Sequence, residues 1–214
     1  MSFALLLSTA APPLLQAQQV SSVNFTEIYK NIAAPSSPYF YPEMLARYEK
    51  NDTTLNPAQY KHLYYGYTKQ PGYDPTGKDV RQKEFKQLLE QRAFEKALAV
   101  GRAGLRETPF NLNYVFGMYY ACDNLKRKAE ARQWLHKFER LMEAIETSGD
   151  GRTPATAYVV VALGDVQVYL ESLGLTATDR KLQDRRIEKI TLQQPNDLNL
   201  KEIYFNVEKL GWGR

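Results

Sequence analysis

The sequence predicts an α+β fold in which helices dominate, and three observations lead to this prediction. Apolar residues recur at helical spacing through the middle of the chain, with small residues at Ala97 and Ala131. The glycine-containing run at 148–151 ends this helical pattern. Runs rich in β-branched and aromatic residues follow, with one further helical pattern among them. We therefore expect a small sheet beside a mainly helical body.

Capping signals mark where the first helices begin. Asn24, Asn56 and Asp79 each precede a Glu or Gln by three residues, which is the spacing of a capping box. Pro42 and Pro57 suit the first turn of a helix, where a missing N–H costs little. These signals predict helices that begin near residues 24, 42, 57 and 79, the third of which extends to about residue 68.

Paired helices are predicted in the middle of the chain, at 80–91, 94–107, 112–124 and 127–147. Ala97 and Ala131 lie 34 residues apart in the second and fourth of these helices, and Gly104 and Pro109 follow the first alanine. This interval is the repeat length of tetratricopeptide helical hairpins, and the segment 80–145 resembles one and a half to two such repeats. The resemblance implies antiparallel helices that meet through small side chains and together form a binding surface.

The last third of the chain predicts a strand-helix-strand-strand unit. Strands are expected at 156–161, 187–192 and 202–207, with a helix at 166–173 and a hairpin loop at 194–197. The predicted organisation is therefore a signal-like segment at 1–22, a helical tetratricopeptide-like region at 23–147, and a small α/β unit at 148–214 that packs against it.

The amino terminus predicts export. Residues 1–26 carry no charged side chain, and a short apolar stretch broken by Pro12 and Pro13 is too brief to cross a bilayer. The segment resembles a secretory signal with cleavage after Ala10 or Ala17. Because the first basic residue is Lys30, we expect the true start codon to lie upstream. The sequence thus predicts a periplasmic or secreted protein.

Charge, cysteine content and the spacing of possible metal ligands indicate which partners and cofactors the protein lacks. The net charge of +4 comes from lysines and arginines that are interspersed with acids, without the basic stripe of a nucleic-acid binder. Cys122 is the single cysteine, so an intramolecular disulfide is excluded. No histidine pair or carboxylate cluster has the spacing of metal ligands. We expect no nucleic-acid partner, no metal, no cofactor and no membrane span.

A second resemblance covers nearly all of the chain. It is carried by the runs at 60–67, 73–75, 148–151, 156–160 and 203–207. These runs are similar to those of a family of exported bacterial proteins that is catalogued only as a domain of unknown function. The resemblance implies export and a chain that forms one unit, and it implies no activity.

The densest polar and aromatic cluster is the candidate ligand-binding site. Its members are His62, Tyr64, Tyr65, Tyr67, Tyr73 and Asp74. Tyrosine rings offer an apolar face with a polar rim, which suits a sugar or a peptide. The alternative is that the tyrosines pack against neighbouring helices and that Asp74 caps a turn.

The sequence favours a non-enzymatic scaffold of the cell envelope that binds a protein, a peptide or another ligand, with no catalytic residues assigned. The alternative function is an envelope hydrolase acting on glycan or peptide, with His62 and Asp74 as its acid-base pair. A partner in the cell envelope is expected in either case. The sequence does not predict the oligomeric state.

Overall fold

The α+β, mainly helical class is confirmed by a computed structural model, which describes residues 23–76 and 79–211. The predicted signal at 1–22 lies outside the described residues. The helices are α1 (Phe25–Ala33), α2 (Tyr41–Glu49), α3 (Pro57–Gly66), α4 (Arg81–Glu90), α5 (Phe94–Glu107), α6 (Leu112–Asn124), α7 (Lys128–Glu146) and α8 (Leu163–Ser172). The strands are β1 (Tyr158–Val159), β2 (Ala177–Gln183), β3 (Ile187–Leu192) and β4 (Glu202–Asn206).

The capping signals locate the first helices well. The Asn24 side chain accepts a hydrogen bond from the Glu27 N–H at the start of α1. At α3, Asn56 and Gln59 form a full capping box ahead of Pro57. The start of α4 differs slightly, because Asp79 accepts from the N–H of Arg81 and the helix begins there.

Helices α4 to α7 form antiparallel pairs that meet through small side chains. Gly101 lies against Met118, and Gly104 lies against Tyr114. The residue number rises along α5 from 101 to 104 while that of the contacting residue on α6 falls from 118 to 114. The two helices therefore run in opposite directions. Ala97 of α5 and Ala131 of α7 are both buried in an apolar cluster to which α4, α5, α6 and α7 all contribute. Small residues of α5 therefore lie where α5 and α6 meet.

The carboxyl-terminal sheet has four strands in the order β1-β4-β3-β2, with β1 parallel to β4 and the other pairs antiparallel. The prediction of three strands was wrong, because β2 was missed. This edge strand is almost wholly exposed, and its polar sequence around Asp179, Arg180 and Lys181 lacks the apolar alternation of a half-buried strand. The loop predicted at 194–197 does connect two paired strands, β3 and β4.

The predicted strand at 156–161 is also shorter than expected. Only Tyr158 and Val159 pair with β4. The Val160 N–H still donates to the Asn206 carbonyl at 3.2 Å. Beyond it the chain leaves the sheet, and the Val161 N–H donates to the Tyr64 hydroxyl oxygen at 3.3 Å. The sequence of an apolar run does not show at which residue the backbone stops pairing with a neighbouring strand and begins to bond a side chain. The end of this strand could therefore not be predicted.

One apolar core joins the first helices to the sheet. It includes Leu63 of α3, Leu141 of α7, Val160 and Leu170, and Phe205 of β4. A smaller apolar cluster is formed by side chains of α4, α5, α6 and α7. The core therefore fixes α8 beside the helical hairpins, in contact with α6.

Candidate functional site

The tyrosines of the predicted site lie in the protein core. Tyr64 and Tyr65 of α3 are 0% exposed, and Tyr67 is also buried. Tyr73, in the loop after α3, is partly buried against the same core. Burial raises the pKa of all four hydroxyls. Their rings therefore face protein atoms, as the packing alternative expected, and do not line an open surface.

These hydroxyls connect α3 and its loop to distant backbone. Tyr65 donates towards the carbonyls of Ala144 at 2.9 Å and Val159 at 3.1 Å. Tyr73 likewise reaches the carbonyl oxygens of Val161 and Lys209. A buried carbonyl needs a partner, so the tyrosine hydroxyls satisfy backbone groups where the sheet meets the helices.

Tyr64 binds a buried acid. Its hydroxyl donates to Asp165 Oδ2 at 2.6 Å, and the N–H of Ala162 donates to the same oxygen at 2.9 Å. Asp165 lies in the first turn of α8 and is almost fully buried. Burial raises the pKa of this carboxyl to about 7, against the lowering effect of its hydrogen bonds.

The predicted acid-base pair does not form. His62 Nδ1 donates to the Ala58 carbonyl at 2.7 Å, and His62 Nε2 accepts from the Asn31 amide at 3.1 Å. The ring also stacks on Tyr39 at 3.8 Å between centroids. Asp74 instead accepts from the N–H and the hydroxyl of Thr76. Each group is thus held by its own local partners, and burial lowers the pKa of His62.

An open groove lies elsewhere, between α4, α6 and α8. Its volume is about 750 Å³, within the usual range for ligand pockets. We call it the α4/α6/α8 groove. It is lined by Gln82, Lys83, Phe85, Lys86, Leu89, Glu90, Asn113, Phe116, Gly117, Tyr120, Gln167, Val168 and Glu171.

Two exposed aromatic side chains distinguish this groove. Phe116 and Tyr120 are 44% and 42% exposed, and they lie one turn apart on α6. Gly117 stands between them, where a Cβ atom would overlap the ring of Phe85 and lie 2.9 Å from Leu89. The glycine therefore allows α4 and α6 to approach closely and form an apolar floor.

Charged side chains edge the floor on both sides. Lys83 and Lys86 come from α4, and Lys86 lies 3.9 Å from Glu90. Within residues 23–76 and 79–211, Lys83 has no ion-pair partner. On the α8 side, Glu171 accepts a hydrogen bond from Gln167 at 2.8 Å. The groove thus combines an apolar floor with a positive edge on α4.

Lys137 is the most unusual charged group in the helical part, since it is only 3% exposed. Its ammonium lies 4.2 Å from the ring centre of Tyr48 and 4.6 Å from that of Trp134, which are cation–π distances. Burial lowers its pKa to about 8. It lines neither of the two cavities found between the described helices, so its contacts are those of a packed core residue.

Sequence reasoning missed the groove. Phe116 and Tyr120 lie at i and i+4 on one face of a helix, but this spacing does not show whether another element covers that face. Only the position of α8 shows which aromatic rings remain open to solvent. No group of three or more potential metal-ligating side chains occurs in the described part of the chain.

Fold and groove together define a mainly helical protein with an open apolar groove and no assembled acid-base pair at the predicted site. None of its described helices combines the length and the hydrophobicity that a bilayer crossing requires. The chain belongs to the family described as "Domain of unknown function (DUF4919)", whose model matches residues 26–211. Comparison with curated proteins and with solved structures gives no match.

Proposed function

We propose that this protein is an exported, non-enzymatic binding protein that holds a short peptide segment of another protein in the α4/α6/α8 groove. The observation that carries the proposal is the exposed pair Phe116 and Tyr120 beside a cavity of about 750 Å³. Exposed aromatic rings at a concave surface are typical of interaction sites. The antiparallel helix pairs then act as a tetratricopeptide-like scaffold for this surface.

The chemistry of the lining favours binding over catalysis. Among the described residues that line the groove there is no histidine, cysteine or serine. Its two acids are engaged, since Glu90 lies near Lys86 and Glu171 accepts from Gln167. A nucleophile with an adjacent base is therefore lacking, while the apolar floor suits side chains of a peptide.

Charge complementarity selects the kind of peptide. Lys83 and Lys86 are exposed on the α4 edge, so a carboxylate of the bound segment would find cations there. Ion pairs at an exposed edge add specificity more than affinity. We therefore infer a segment with apolar side chains that enter the groove and an acidic residue that faces α4.

Selection from a phage-displayed random peptide library tests the groove. We expect the selected peptides to combine apolar and acidic residues and to bind the purified protein. Phe116→Ala/Tyr120→Ala should weaken this binding at least tenfold, about 1.4 kcal/mol, because aromatic anchors supply most of the binding energy. The measurement is fluorescence anisotropy with labelled selected peptides.

A matched control is Leu182→Ala/Leu198→Ala, which truncates two exposed apolar residues outside the groove. It should leave the affinity unchanged, and the circular dichroism of both variants should match that of the parent. Selected peptides that bind both double variants equally well would contradict the proposal. It would also be contradicted if NMR shifts of backbone amides on addition of peptide were confined to other surfaces.

Export is the second part of the proposed function, and the uncharged amino-terminal segment supports it. We expect the native protein to be recovered from the periplasm or the medium, with its first residue at position 11 or 18. Mass spectrometry of the protein from fractionated cells measures this. A cytoplasmic protein with an intact Met1 would exclude export and leave the groove proposal standing.

A further inference from the structure

A second cavity adjoins the α4/α6/α8 groove. It has a volume of about 610 Å³ and lies between α7 and the end of α8. It is lined by Phe138, Glu139, Arg140, Met142, Glu143, Glu146, Ser172 and Leu173. We call it the α7/α8 cavity.

Two observations make the cavities neighbours. The ring of Phe116, in the first, lies 5.1 Å from the ring of Phe138, in the second. Glu171 and Ser172, which are consecutive on α8, line the first and the second cavity respectively. Both cavities therefore share α8 as one wall and meet at the Phe116–Phe138 ring pair.

The two ends of this joined surface carry opposite charge. At the α4 end, Lys86 lies 3.9 Å from Glu90, and Lys83 has no ion-pair partner among the described residues, while Glu171 lies on the α8 edge. At the α7 end there are three carboxylates and one guanidinium, and Arg140 is paired with Glu143 at 2.6 Å. Glu139 and Glu146 have no cationic partner in the part of the chain that the structure describes. Partial burial and the nearby Glu143 also raise the pKa of Glu146, as expected for a carboxylate that lacks a cation.

We propose that the joined surface binds a peptide segment of fixed polarity, with acidic residues at the α4 end, apolar residues across the middle and basic residues at the α7 end. This inference rests on the proposed function, because it assigns the occupant and the orientation of the same groove. It follows from the apolar ring pair between the two charged ends and from the charges that remain unpaired there.

The segment is short. From α4 across α6 to α7 there are two helix spacings of about 8–10 Å each, so the path is on the order of 16–20 Å. An extended chain advances about 3.3 Å per residue, so about six residues cover it.

Two synthetic peptides of identical composition test this polarity. In the segregated peptide, two glutamates precede a run of leucine and phenylalanine, and two lysines follow it. In the mixed peptide the same charges alternate through the apolar residues. We expect the full chain to bind the segregated peptide at least tenfold more tightly in fluorescence anisotropy at low salt. The preference should shrink at high salt, because exposed charges are screened.

Charge reversal then locates each end. Lys83→Glu/Lys86→Glu and Glu139→Lys/Glu146→Lys should each abolish the preference, since one end then repels the peptide. The variant with all four changes should regain it, because the segregated peptide can bind in the reverse direction. The matched control Lys96→Glu/Lys181→Glu changes the net charge by as much as the first variant but lies outside both cavities, and it should keep the preference.

The outcomes separate this inference from the proposed function. Equal affinity for both peptides, reduced for both by Phe116→Ala/Tyr120→Ala, would overturn the polarity and support the groove. If the variant with all four substitutions does not regain the preference for the segregated peptide, the proposed polarity is also overturned. Absence of binding by either peptide would overturn both proposals.

Discussion

Asp165→Asn should raise the free energy of unfolding above pH 7 by up to about 4 kcal/mol and remove much of its pH dependence between pH 4 and 7. The pKa of Asp165 is raised by burial from an ordinary value of 3.8 to about 7 in the folded protein. A shift of about three pH units corresponds to about 4 kcal/mol. The effect is large because the carboxyl is almost fully buried and its hydrogen bonds offset only part of the effect of burial on its pKa.

The direction of the effect follows from proton linkage. Between pH 4 and 7 the folded protein keeps a proton on Asp165 that the unfolded chain releases. Raising the pH through this window therefore lowers the free energy of unfolding, and the loss is complete above about pH 7. An asparagine has no charge to bury, and its carbonyl oxygen can still accept from Tyr64 and from Ala162.

Urea denaturation at several pH values measures the difference between the variant and the parent. Taking this difference at each pH cancels the titration of other groups, such as His62. Asp197→Asn is the matched control, because this loop aspartate is exposed and its change should stay within about 0.5 kcal/mol. Parallel pH profiles for the Asp165 variant and the parent would show that the buried carboxyl does not titrate in this window.

The helices were the most predictable part of the fold, because their signals are local. Asn24 and Asn56 cap helices in the structure as the sequence predicted. The bounds of α5 and α6 also agree with the predicted ranges. Helical periodicity and capping depend on residues within a few positions of each other, so no knowledge of distant packing is needed.

Strand β2 could not be predicted from such local signals. Its residues from Thr178 to Leu182 are all exposed, so neither face carries an apolar alternation. What fixes it is pairing with β3, for example between Arg180 and Ile190. An edge strand of this kind is defined by its neighbour and by charges that discourage further pairing.

The burial of the candidate-site tyrosines could not be predicted, for a related physical reason. The spacing of Tyr60, Tyr64 and Tyr67 shows that they share one face of a helix, but not whether another element covers that face. In the structure α2 and α7 pack against α3, and Asp165 of α8 binds Tyr64. The same helix α8 forms a wall of the groove that the sequence did not reveal.

The helix α8 therefore connects the buried acid with the binding surface. Asp165 anchors its first turn to α3, and two turns later Glu171 borders the groove. A variant that weakens this anchor should also widen or misplace the groove wall. Peptide affinity in a Tyr64→Phe variant, which lacks the hydroxyl that donates to Asp165, therefore reports whether the anchor serves stability alone or also the shape of the groove.

Gly104→Ala should destabilise the protein by about 1–2 kcal/mol net, although alanine normally stabilises a helix. A Cβ atom at this position would overlap Cζ of Tyr114 and lie 2.7 Å from its hydroxyl oxygen. Tyr114 cannot easily move aside, because it is buried and donates to Asp79 at 2.7 Å. Overpacking of this kind costs about 1–3 kcal/mol, which exceeds the gain of about 0.5–1 kcal/mol from helix propensity.

Thermal and urea unfolding, followed by tryptophan fluorescence, measure this loss. A drop in Tm of about 2 to 8 °C corresponds to it in a domain of this size. Gly72→Ala is the control, since nothing lies within 4 Å of a Cβ atom there, and its effect should be small.

A double-mutant cycle tests the cause. In a Tyr114→Leu background the ring that blocks the methyl group is absent, so Gly104→Ala should become neutral or stabilising. This reversal of sign is expected only if α5 and α6 meet through Gly104 as the paired-helix scaffold requires. The same loss in both backgrounds would mean that the two helices do not pack at this residue, and the wall that carries Phe116 and Tyr120 would then need a different position.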